Sequence, residues 1–63
     1  MSTLRAELKK DLAGEAKAIR DYTKRAKDAG LSARDKSIIQ EIIKDEKSHH
    51  GLLTRMLERM RGD

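Results

Sequence analysis

Apolar residues recur along the chain at intervals of three and four, in two long stretches separated by a short break around Gly30, Leu31 and Ser32. That spacing is the signature of helices that hide one stripe. The first stripe passes through Leu8, Leu12, Glu15, Ile19, Tyr22, Ala26 and Ala29, and the second through Ile39, Ile42, Glu46, His49, Leu53, Met56 and Met60. Ser2 or Thr3 is placed to cap a first helix running to about Ala29, with Gly30 as its left-handed stop. Ser32 then caps a second helix, with Asp35 three residues on in the arrangement of a capping box. This helix is expected to reach Met60 or Arg61, with Gly62 beyond its end. So short a connection reverses the chain, which predicts an all-α, antiparallel two-helix hairpin. Ile38, Ile43, Leu52 and Leu57 widen the second stripe beyond what one partner helix covers. The expected assembly is therefore two hairpins dimerised into a four-helix bundle.

Size strengthens the case for association. The 63 residues (1–63) form one small domain, and small domains bury too little surface to be comfortably stable. There is no cysteine, so disulfides and thiolate metal sites are excluded, leaving self-association or a metal held by O and N donors. Charged residues make up 41% of the chain and the net charge is +4, but the basic residues are spread along both stretches. With a single aromatic residue there is no stacking platform for nucleic acid, and a solvated polar face explains the charge. No apolar run approaches the roughly 20 residues of a membrane span. The charged N-terminus lacks the apolar centre of a secretory signal, so a cytoplasmic setting is expected.

The polar members of both stripes fall near their middles. Glu46 and His49 are spaced i, i+3, which puts a carboxylate and an imidazole on one helix face within reach of one ion. Glu15 and Glu46 each lie about 15 residues from the turn, roughly 23 Å along each helix, and so face each other at one level. Taken singly, each glutamate reads as a flank residue whose stem packs, and His49 as a hydrogen-bonded, half-buried histidine. Seam, spacing and level together point to a metal site made of Glu15, Glu46 and His49. A twofold axis at this level brings two such sets together. Four carboxylates would be balanced by two divalent cations. Carboxylate and imidazole donors suit iron or manganese, and zinc is compatible with the same set.

Tyr22 is two turns after Glu15 on the same seam, with core packing and a supporting role beside the ligands both open. Asp45 and His50 point about 100° away from their ligand neighbours and are expected at the surface. Met56 and Met60 read as core filling. Gly14 and Gly51, inside helices, fit either close packing near the site or ordinary tolerance.

The segments Glu15-Ala16-Lys17-Ala18-Ile19-Arg20-Asp21-Tyr22 and Asp45-Glu46-Lys47-Ser48-His49-His50 resemble one half of the ferritin-like, rubrerythrin-type di-iron fold. Within that family the chain looks most like the encapsulated ferritins, short helical hairpins that associate to complete an iron site. The resemblance covers residues 8–60. It implies that Glu15, Glu46 and His49 from each of two chains bind two irons at the dimer interface, and that Tyr22 is the tyrosine beside that centre, as a catalytic residue. It also implies a homodimer at minimum, a higher homo-oligomer, and an encapsulating protein shell. Where those proteins usually carry acidic residues around the first-helix ligand, this chain has Gly14 and Lys17.

The expected activity is that of a ferroxidase, oxidising Fe(II) with O₂ or peroxide at a site shared between two chains. A non-catalytic assembly module, in which metal only staples the dimer, is the alternative. A basic hairpin that binds nucleic acid is a third reading, and it predicts a strong salt dependence.

Overall fold

A computed structural model describes residues 3–60. Two α-helices, α1 (Thr3–Arg25) and α2 (Ala33–Arg59), pack side by side as an antiparallel hairpin measuring 47 × 14 × 11 Å. Both helices draw on Ala, Leu, Lys, Arg and Glu, and no proline interrupts them. Ser32 caps α2 from an extended backbone (φ −68°, ψ 159°), its hydroxyl accepting the Asp35 N–H at 3.1 Å. At the other end Met60 donates its N–H to the carbonyls of Met56 and Leu57, closing α2 one residue after Arg59. The capping role considered for Ser2, and the expectations for Arg61 and Gly62, lie outside the described residues.

The first helix ends earlier than its pattern predicts. After Arg25 the amides of Lys27 and Asp28 turn to the carbonyls of Lys24 and Arg25, three residues back, which tightens and terminates the helix. The Asp28 carboxylate then accepts the Gly30 N–H at 2.7 Å, and the Leu31 N–H bonds to the Asp28 carbonyl at 3.2 Å. An aspartate-closed turn thus replaces the expected left-handed glycine stop. No described residue has a positive φ, and Ala29 lies exposed, off the seam.

The α1 seam is otherwise as predicted: Leu8 and Ala26 are buried, and Leu12, Glu15, Ile19 and Tyr22 are half-buried between them. The α2 seam is rotated from the prediction by one residue at alternate positions. Ile39, Ile43, Glu46, His50, Leu53, Leu57 and Met60 are all half-buried, whereas His49 and Met56 are exposed. His50 is therefore part of the hairpin's packed side rather than its surface, and Met56, at 37% exposure, is not core filling. Asp45 is exposed as expected. Since only Leu8 and Ala26 are buried among the described residues, a single hairpin is thinly stabilised.

Candidate metal centre

Glu15 sits at the midpoint of the α1 seam and Glu46 on the α2 seam opposite, while His49 reaches in from the flank one turn beyond Glu46. Each of the three offers one ligand atom, and these atoms all lie within 4.8 Å of one another. The shared level expected from the turn position is thus present, even though the turn itself is built differently. His49 Nδ1 lies 3.8 Å from Glu15 Oε2, too far for a hydrogen bond. That oxygen is shut off from solvent and has no hydrogen-bond partner. A buried acceptor with no donor is costly, so this atom invites a cation or a proton.

The electrostatics say the same. The neighbouring Glu15 carboxyl, through a shared proton, pushes Glu46 above its ordinary value of 4.5. Partial desolvation and the charges of Glu15 and Asp45 add to the rise, and His49 opposes it. Two carboxylates at one level thus compete for a single positive charge.

The donor set fits a divalent ion. Donors on one ion at about 2.1 Å sit no more than about 4.2 Å apart, so small side-chain rotations close a 4.8 Å cluster around it. The side chain of His49 is 57% exposed and that of Glu15 only 23%, so the cluster is open on the histidine side. A shallow groove of about 570 Å³ leads to it, lined by Lys10, Asp11, Gly14, Glu15, His49, Leu52 and Leu53. A Cβ at Gly14, which lines this groove, would meet nothing within 4 Å, and the same holds for Gly51, so neither glycine is demanded by packing within the hairpin. On the opposite flank Ala16, Ile19, Lys47 and His50 line a smaller groove of about 210 Å³.

Tyr22 lies two turns from Glu15 along α1, about 10 Å by helical rise. Its ring is covered by the Arg25 guanidinium, 5.1 Å from the ring centroid. Asp11, which lines the groove one turn before Glu15, was not marked by the stripe pattern; its i, i+4 spacing from Glu15 is the signal that locates it.

No family model, curated protein or solved structure matches this chain. The centre is therefore defined by its own residues: a helical hairpin with a Glu, Glu, His cluster able to coordinate a metal ion.

Proposed function

We propose that this hairpin is one half of a ferritin-like di-metal carboxylate protein, and that two copies share a centre acting as a ferroxidase. The observation that carries the reading is the convergence of two carboxylates and one imidazole around a buried, unpartnered Glu15 oxygen. Glu15, Glu46 and His49 would hold the metal, with iron the favoured ion and manganese or zinc compatible with the same donors. Bound Fe(II) is the substrate, giving up its electron to O₂ or peroxide.

The chain's residues have separate tasks. Glu15 and Glu46 supply the negative charge that favours the higher oxidation state of iron, and metal competes with the proton that Glu46 holds more tightly beside Glu15. His49 donates a neutral ring nitrogen from the exposed side. Across two copies, four carboxylates balance two divalent cations, removing the repulsion felt by Glu46 in a single hairpin. Tyr22, two turns along the same seam with the Arg25 guanidinium over its ring, would take a supporting role beside the centre.

A second reading rests on the scarcity of buried residues: the metal serves only to fasten two thinly stabilised hairpins together. Titration with Fe(II) under anaerobic conditions, followed by admission of air, separates the two. The ferroxidase reading requires one ion bound per chain and oxidation faster than that of iron in buffer. Stoichiometric binding with no acceleration leaves the fastening role, and absence of binding sinks both.

A further inference from the structure

Basic residues that are scattered along the sequence are gathered once the chain is folded. On α2 a groove of about 460 Å³, lined by Gln40, Ile43, Lys44, Lys47 and Ser48, lies on the flank away from His49. Lys47 also lines the smaller groove with Ala16, Ile19 and His50, so this flank continues across onto α1. The spacing of three and four from Lys47 and from Ala16 gives the rest of the flank. It carries the exposed cations Lys9, Arg20, Lys36, Lys44 and Lys47, the half-buried Arg5, and a single carboxylate, Glu58.

The flank on which the metal donors open has the reverse charge. The same spacing from Gly14 and from His49 collects Glu7, Asp11, Asp21, Asp35 and Asp45, against Arg25 and, at the edge of its groove, Lys10. Neither ion pair, Lys17 with Asp21 or His49 with Glu15, engages any of the five exposed cations of the basic flank. Their charge is therefore left facing outward, and a polyanion is the partner that balances it.

The chemistry of the flank selects among polyanions. A lipid surface rewards apolar anchors, but the exposed Leu4, Ile38, Leu52 and Met56 all fall off this flank. Single strands are gripped by stacking on aromatic rings, and Tyr22, the one aromatic residue, is half-buried beneath Arg25 and also off the flank. A duplex asks only for cations and hydrogen-bond donors set along its phosphates, which Lys44, Lys47, Gln40 and Ser48 offer around one groove. With Glu15 and Glu46 at one level, Lys36 falls at the level of Arg25, so the strip from Lys9 to Lys36 is about 24 Å long. A duplex presents about 14 phosphate charges over that length, more than enough for every cation to find one.

We propose that the flank bearing Lys9, Arg20, Lys36, Lys44 and Lys47 binds the phosphate backbone of a nucleic-acid duplex without reading its sequence. The contact needs no metal, because the donors open on the other flank.

The test is anisotropy of a labelled duplex DNA of arbitrary sequence, about 24 base pairs long, titrated with the whole metal-free chain at about 50 and 200 mM salt. Five neutralised phosphates imply that affinity falls on the order of 500-fold between the two. Arg20→Gln with Lys44→Gln removes one contact from each helix and should weaken binding at the lower salt about 100-fold. Arg34→Gln with Arg59→Gln changes the net charge equally, but both residues lie more than about 100° around α2 from Lys47. That pair should leave affinity within a few-fold. Glutamine suits exposed helix positions, and circular dichroism verifies that all four substitutions leave the hairpin helical.

No binding at the lower salt overturns the proposal, and so do equal losses from the two pairs, which would mean attraction by net charge alone. Tighter binding to the single strand, or to vesicles of phosphatidylserine and phosphatidylcholine, would also overturn it and name the other partner. Since no metal is present, failure here leaves the reading of the metal centre standing, and failure of the iron titration leaves this flank untouched.

Discussion

Glu15 Oε2 and His49 Nδ1 lie 3.8 Å apart across the helix pair, the first sealed from solvent without a partner and the second on the open flank. The contact is too long to satisfy either atom and short enough for both to reach one cation. A site held in this state should respond to anything that adds or removes positive charge.

Replacing Glu46 by alanine should abolish anaerobic Fe(II) binding while leaving the hairpin helical. Glu46 is only half-buried, and alanine favours helix, so the loss falls on the site and not on the fold. Circular dichroism alongside the titration checks both halves; normal iron binding by the variant would refute the site.

Acidity should act on the metal-free protein in an unusual direction. Because the Glu15 carboxyl raises Glu46 above 4.5, the folded state holds its proton more tightly than the unfolded chain does. The resulting stabilisation is complete below 4.5 and is lost as pH rises through the raised value. Asp21, held below 3.8 by its hydrogen bond to Lys17, contributes in the opposite sense, its share vanishing only in stronger acid. Thermal melts of the metal-free protein should therefore show stability falling as pH climbs above 4.5, and Glu46→Gln should flatten that fall. Metal affinity should rise over the same interval, as the proton ceases to compete.

Leu8→Ala should cost about 2 kcal/mol, at the low end for a buried leucine, and a large part of what so small a fold possesses. The expected result is partial loss of helical signal at low protein concentration, recovered as concentration or metal is raised. Melts at several concentrations measure it.

The two ends of the propensity scale offer a control on α2. Ser32→Ala removes the hydroxyl that accepts the Asp35 amide and should cost about 1 kcal/mol. Gly51→Ala adds a methyl group that meets nothing within 4 Å in the hairpin and should stabilise by about 1 kcal/mol. Denaturant melts should move in opposite directions for the two variants.

The hairpin, the Ser32 cap, the α1 seam and the common level of Glu15 and Glu46 are all legible from spacing, since each depends on local periodicity or a single cap. Two features were not. Gly30 suggested the end of α1, but the side chain of Asp28 and the tightening after Arg25 end it sooner, through bonds that residue pattern does not reveal. The phase of α2 was hidden for a different reason. Its apolar residues support two overlapping seams, one through Ile43, His50 and Leu57 and one through Ile42, His49 and Met56, and hydrophobicity cannot say which faces α1. The adjacent histidines follow from that ambiguity: His50 packs on the inner side and His49 is left to reach the donors from outside.

Among the described residues the two buried ones are Leu8, in the first half of α1, and Ala26, just past its end, and none lies between them at the level of Glu15. The chemistry thus sits where the packing of the hairpin is partial, with the cluster open on the side of His49. An ion arriving on the His49 side should need only side-chain rotations to reach the sealed Glu15 oxygen, so the pace of loading should be set by how quickly the ion sheds its own water.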